Sequence, residues 1–324
     1  MATLKRRKSI SYTKWGYFFI APFVITYAVC SLYPLLTTFF YAFFDYLIIF
    51  GQDPKLEFVG LGNFIKLFTA NPTTGIPDMI RYTGNTFVIW IVGFAPQIFF
   101  SLVLASWFTD LRMRLKATGF FKVVIYLPNI IMAAAISMLF FIIFGDNGPI
   151  NQVILATGGT VYRFYSFIWP TRFIIAGINF LMWYGNTTIM LMAAINGIDT
   201  SLYESASIDG ANANQTFWRI TMPLIRPILL YVFITSLIGG IQMFDIPNIL
   251  SKGLGTPNFS TYTLVMFLNA QLAGNRNYGD AGVTSIFLFI VGGLLSLAVF
   301  WSMRDKDAIA DAKRRKKAKG AKLL

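Results

Sequence analysis

No histidine and one cysteine, Cys30, occur in the 324 residues. Metal centres and redox pairs built on imidazole and thiolate have nothing to draw on. Nucleophilic catalysis of the Ser-His-Asp or Cys-His kind lacks its base. The G-x-x-x-x-G-K-[ST] loop that cradles nucleotide phosphates is also missing. Neither catalytic nor metal-ligating residues are therefore expected, and Cys30, in an apolar run, reads as a small buried hydrophobe. Chemical capacity remains in polar groups set inside apolar runs and in one polar segment between two of them. Asn129 follows Pro128, and Asn179, Trp183, Tyr184 and Asn186 surround Gly185. Ser236, Gly240, Gln242, Met243 and Asp245 fall close together in a later run. Amides and hydroxyls beside aromatic plates can hold a neutral, hydroxyl-rich solute, and inside spans the same groups also serve as links between helices. At helical spacing Ser236, Gly240 and Met243 share a face, which leaves room for a bulky ring against the glycines. Asp245 has a structural cap as its other reading.

The elements that must position these groups are membrane helices. Hydrophobic residues make up 56% of the chain and charged residues 13%, whereas a soluble protein carries about 25% charged. A crossing helix needs about 20 mainly apolar residues. Six stretches meet or approach that: 15–44, 86–108, 121–144, 173–195, 228–244 and 283–303. The first is too long for one untilted span; the fifth is short, and Gly239, Gly240 and Pro247 predict a bend or unwinding at one end. The expected fold is an all-α integral membrane protein of six transmembrane helices. A basic arm (1–14) precedes the membrane domain (15–303), and a basic tail (304–324) follows it. On that topology twenty Lys and Arg fall on the side of both termini and seven on the other, so both termini are expected in the cytoplasm. The net charge of +13 then lies on the cytoplasmic face. The run Lys313-Arg314-Arg315-Lys316-Lys317 reads as an orientation signal touching anionic lipid, with no nucleic-acid partner expected.

The polar segment 199–227 joins the fourth and fifth spans. Asp199 or Thr200 can cap a short helix carrying Glu204, Gly210 ends it, and a second short helix is expected to stop before Pro223. Two such helices at the cytosolic mouth of a bundle would make a docking knob; an amphipathic loop lying on the membrane is the plainer alternative.

Glu204-Ser205-Ala206, then Asp209-Gly210, then Ile220 and Met222-Pro223 resemble the EAA loop of permease subunits in binding-protein-dependent type I ABC importers. Ser205 stands where that loop usually has Ala, and Met222 where it has Leu. Phe58-Val59-Gly60-Leu61-Gly62-Asn63-Phe64 looks like the FxGLxNF element of the carbohydrate branch, of the maltose-permease F type. Gly145-Asp146-Asn147-Gly148-Pro149-Ile150-Asn151 is similar to its G-x-x-N turn. Phe244-Asp245, a degenerate Gly253-Leu254-Gly255-Thr256-Pro257 and Thr261-Tyr262-Thr263 resemble a further segment of that branch.

The resemblance implies that Glu204, Ser205, Ala206, Asp209, Gly210, Ile220 and Pro223 couple to a separate ATPase subunit. It implies no cofactor on this chain, with ATP and Mg bound by that partner. A second homologous permease, two ATPase subunits, an extracytoplasmic solute-binding protein and a carbohydrate cargo follow, in the cytoplasmic (inner) membrane of a bacterium or archaeon. Ser236, Gly240 and Met243, with Asn129 and Ala133, match sugar-pocket positions of the maltose permease. A phosphate, glycerol-phosphate or polyamine cargo is the nearer alternative. A secondary transporter would need a membrane-embedded ion relay, and the spans hold almost no carboxylates. A membrane enzyme would need the catalytic groups already excluded.

Overall fold

The computed structural model describes residues 13–49, 51, 53, 55–110 and 117–303. The basic residues of the arm before Thr13, Arg112, Arg114 and Lys116, and the tail 304–324 lie outside the described residues. In chain order, α1 (Thr13–Tyr27) passes through a π-helical turn, Ala28–Leu32, into α2 (Tyr33–Tyr41). A ribbon, β1 (Phe44–Leu47) and β2 (Lys55–Phe58), precedes α3 (Gly62–Phe68) and α4 (Asp78–Thr109). Then come α5 (Thr118–Ile130), α6 (Ala133–Ile143), α7 (Pro149–Ala156) and α8 (Ile168–Asn196). The short helices α9 (Thr200–Ile208), α10 (Ala213–Thr216) and α11 (Met222–Leu224) lead into α12 (Arg226–Ile241). After these come α13 (Asp245–Leu250), α14 (Leu264–Asn269) and α15 (Tyr278–Met303).

Among the described residues five helical runs are long and apolar enough to cross a membrane: Lys14–Tyr41, Asp78–Thr109, Ile168–Asn196, Arg226–Leu250 and Tyr278–Ser302. α5 and α6 meet that condition only as a pair, bent by 89°. The stretch 121–144, where Pro128 sits inside the apolar run, is thus two helices with a break between them. Ile131 and Met132 are extended, with ψ of 136° and 133°. Pro128 withholds one helical donor just before this break. The unwinding expected in the fifth stretch is present at 242–244, between α12 and α13. Pro96, by contrast, leaves α4 unbroken. The first stretch ends at Tyr41, short of 44, because Phe44 already belongs to β1. Cys30 is exposed, correcting its expected burial.

The chain divides into two compact units. One holds the described residues up to Leu67 together with Ala270–Ile286. Here Phe44 pairs with Phe58 and Leu47 with Lys55 in the antiparallel ribbon, a departure from the all-α expectation. The 58–64 motif acquires a structural meaning: Gly60 turns the chain at φ +56°, and buried Asn63 donates to the carbonyls of Ala42 (3.1 Å) and Phe44 (2.8 Å). Lys66 pairs with buried Asp280 at 2.7 Å.

The other unit spans Phe68–Asn269 and the rest of α15. α4 and α8 form its spine. They approach so closely that a side chain at Gly93 would meet the Ala176 carbonyl oxygen at 2.9 Å. Buried Gln97 donates to Thr187 Oγ1 (2.9 Å), and Ser101 donates to the Tyr184 carbonyl. One apolar cluster gathers Ile89, Ile136, Ile175, Ile178, Met243 and Ile246, and a second gathers Ala105, Leu191, Ile195, Ile225 and Leu229.

Candidate functional site

The segment between α8 and α12 is built from local chemistry. Asp199 is extended, and its side chain accepts from the Ser201 amide at 3.0 Å, which settles the choice of cap for α9. That backbone hydrogen bond holds the Asp199 carboxyl below the usual carboxylate range. At the other end Gly210 adopts φ +74°, and the Ala211 amide donates back to Ala206 at 2.9 Å. A left-handed residue closing a helix this way favours glycine. Asn212 and Gln215 form a reciprocal capping box on α10.

The second short helix does not stop before Pro223, as expected. A π-helical turn, Phe217–Thr221, carries the Met222 amide back to the Phe217 carbonyl, and α11 runs through Pro223. The wider turn accommodates a ring that cannot donate. Tyr203 Oη lies 3.1 Å from Thr221 Oγ1, tying α9 to this turn. Ala206 is buried and Ile220 half-buried, so these two anchor the segment, whereas Glu204, Ser205, Asp209, Gly210 and Pro223 are exposed. Behind α9 lies a cavity of about 600 Å³ lined by Asp110, Tyr203, Glu204, Asn214, Phe217 and Thr221, among others.

The candidate solute-path residues occupy α5, α6, α8, α12 and the α12–α13 junction. Asn129 donates to the Met182 carbonyl at 2.9 Å and links α5 to α8. At Gly185 the helices touch: a Cβ there would lie 2.0 Å from the Ile125 carbonyl oxygen. Ala133 opens α6 and packs against the first apolar cluster. Asn179 and Asn186 are half-buried and Trp183 is exposed. Tyr184 stacks on Phe180 with centroids 5.1 Å apart.

Ser236 accepts a hydrogen bond from Trp90 Nε1 at 3.1 Å, and the room beside Gly240 is filled by that same indole ring. Met243 lies beyond the last helical residue, so it does not share a helical face with Ser236 and Gly240; it is buried, and its carbonyl accepts from Thr263 at 2.9 Å. Gln242 and Asp245 are exposed. Asp245 is the first residue of α13, and Phe244 rather than Asp245 holds the cap position.

Sequence reasoning passed over the residues that fix the connecting segments. Arg172 Nε donates to the Ser260 carbonyl (3.0 Å) and its Nη2 to Asn85 Oδ1 (2.6 Å). Asn85 in turn donates to the carbonyls of Phe259 and Tyr262, and Arg81 to that of Asn258. Buried Asn151 donates to the carbonyls of Gly145 and Tyr162 and accepts from the Tyr162 amide, so the asparagine of the 145–151 motif organises its own turn. An amide at the edge of an apolar run was the only signal available for Asn85.

Residues 97–304 match the family described as the binding-protein-dependent transport system inner membrane component. The chain belongs to that family, and it is a multi-pass membrane transport subunit, as the 203–227 resemblance implied. Its relatives include the lactose transport system permease protein LacF of Rhizobium radiobacter, 28% identical over 94% of this chain and 98% of that one. The arabinooligosaccharides transport system permease protein AraP of Bacillus subtilis is 29% identical over 90% of each. The multiple sugar-binding transport system permease protein MsmF of Streptococcus mutans is 26% identical over 87% of this chain and 93% of its own. A chain of the bacterial ABC transporter that imports the acidic polysaccharide alginate superposes with a TM-score of 0.72, covering 90% of this chain and 95% of that one. At 20% identity the likeness is one of fold.

Proposed function

We propose that this chain is one of two homologous membrane subunits of an ATP-driven importer and forms the path for a carbohydrate delivered by an extracytoplasmic solute-binding protein. The observation that carries the coupling half is α9. It is capped at Asp199, closed at Gly210, anchored by Ala206 and Tyr203, and leaves Glu204 exposed. A short rigid helix held at both ends transmits a push, whereas a loose loop absorbs it. Closure of two ATPase subunits around bound ATP and Mg would move this segment and, through Ile225 and Leu229 in the second apolar cluster, the helices behind it. The broken α5–α6 pair serves as the sixth span, and both termini face the cytoplasm of a bacterium or archaeon. Sugar cargo is supported by the names of LacF, AraP and MsmF and by the uncharged amides and aromatic rings of α5 and α8.

The test is purification of the tagged chain from native membranes with identification of what accompanies it. A second permease and a Walker-motif ATPase are expected. Recovery of the chain alone, active in liposomes without ATP, refutes the reading. In the assembled transporter Glu204→Arg should abolish ATP-driven uptake while leaving the fold intact; undiminished uptake would remove α9 from the coupling route.

A further inference from the structure

Two residues that the resemblance assigns to the solute, Ser236 and Gly240, are both engaged by one side chain of α4. The Trp90 indole N–H donates to Ser236 Oγ at 3.1 Å. The pyrrole edge of the same ring lies against Gly240, where an added Cβ would fall 2.1 Å from Cδ1, 2.5 Å from Cγ and 2.9 Å from Nε1. Phe87, Trp90 and Phe94 make a layered aromatic strip along α4: Trp90 stacks on Phe94 at 5.3 Å and 12°, and Phe94 meets Phe233 of α12 edge-on at 4.9 Å. Phe94 is buried, whereas Trp90 is half-buried and so stands at the margin of this strip.

A flat ring against a glycine, with one donor on a serine hydroxyl, is also how a sugar ring would use this place. A pyranose has a comparable flat face and hydroxyl donors at its rim. The glycine at 240 is explained by the indole, since any side chain there would collide with it. A solute ring reaches buried Gly240 by taking the indole's position.

We propose that Trp90 is the gate and specificity-determining residue of the carbohydrate path, competing through its indole for Ser236 and Gly240 and admitting a solute whose ring and hydroxyl replace it. The proposal rests on the carbohydrate-path reading given above. It selects for hydroxyl-bearing rings of about indole size, because a linear or purely apolar solute restores neither the hydrogen bond nor the ring contact.

The experiment uses the assembled transporter in membranes of the producing cells, with Cys30→Ser to remove the native thiol and Ser236→Cys as reporter. The probe is the small water-soluble reagent aminoethyl methanethiosulfonate, and labelling is followed by loss of a later maleimide gel shift. With Trp90 present, modification should be slow. Trp90→Ala should accelerate it roughly 2–10-fold, the order of factor that the aromatic stack alone holds closed, since the sulfur at 236 is a weak acceptor for the indole N–H. Trp90→Phe keeps a ring but lacks the pyrrole edge and the donor; it should also label faster, and it decides the matter should the alanine variant fail to assemble. Equal rates with and without the indole overturn the gate while leaving the path intact. A Cys at 236 that is never modified, with either variant or after trapping with ATP and vanadate, overturns the path reading itself and the gate with it.

Discussion

Gly185 offers the sharpest test of the packing on which the solute path depends. An alanine methyl there would lie 2.0 Å from the Ile125 carbonyl oxygen and 2.7 Å from its carbon. Both atoms are backbone, so no rotamer change relieves the clash, and α5 must retreat from α8 by about an ångström in a close-packed interior. Overpacking of that kind costs about 1–3 kcal/mol. The retreat also stretches the Asn129–Met182 hydrogen bond, now 2.9 Å, and an interhelical bond in a membrane is worth about 0.6 kcal/mol on average. Against these stands the better helix propensity of alanine, which returns up to about 1 kcal/mol. The clash wins, leaving a net loss of roughly 1–3 kcal/mol. At about 2–4 °C per kcal/mol for a domain of this size, Gly185→Ala should lower the melting temperature by roughly 2–12 °C.

The assay is thermal unfolding of the detergent-solubilised chain, followed by size-exclusion recovery after heating. Gly177→Ala is the matched control: it lies on the same helix, and a Cβ there meets nothing within 4 Å. It gains the same propensity without a clash and should match or exceed the parent. If Gly185→Ala proves as stable as Gly177→Ala, the close approach of α5 to α8 is wrong.

Three further predictions follow from the same geometry. The Asp199 carboxyl sits below the usual range, so its cap is at full strength above that range and is lost as pH falls through the lowered value. Amide exchange at Ser201, corrected for intrinsic rate, should therefore be flat at neutral pH, rise only in acid, and be raised at all pH by Asp199→Ala; a profile centred near neutrality contradicts the cap. Arg172→Ala should release 256–263 and speed amide exchange there by ~10-fold or more, and Arg172→Lys should not restore it, because one ammonium cannot reproduce two fixed donors. Full protection in the lysine variant would show that charge alone holds the segment. Asn63→Ala takes the donor from the buried carbonyl of Ala42 and the half-buried carbonyl of Phe44, at about 1–3 kcal/mol, and Asn63→Asp should not rescue it, since an ionised carboxylate has no donor. Equal melting temperatures for all three residues at 63 would refute that role.

What was legible in the sequence was what is written locally. Long apolar runs became long helices because the length needed to cross a bilayer leaves little choice. The short helix α9 was legible because Asp199 and Gly210 act on their own backbone within a few residues. Pro128 announced a break in the third run, but its place at Ile131 and Met132 was not legible, since neither residue type opposes a helix. The ribbon after α2 was hidden by Phe44, whose apolar side chain extended the first run on paper while its backbone had already left the helix. The α4 contacts of the path were hidden for another reason: Trp90 and Ser236 are 146 positions apart, and no periodicity links them.

That non-local pairing bears on how such a path could work. Asn129 is bonded to α8 and Ser236 to α4, so the polar groups assigned to the solute are also the links between helices. A group that served only as a link would be satisfied in one arrangement of the bundle and orphaned in another, at a cost that resists the motion. If instead the solute takes up the hydrogen bond that a departing helix gives up, the cost is met in both arrangements, and cargo lowers the barrier to its own passage. On the proposed function, delivered carbohydrate should therefore raise the transporter's ATP turnover, and Ser236→Ala should weaken that stimulation more than it weakens basal turnover. Stimulation unchanged by Ser236→Ala would mean that Ser236 merely joins two helices.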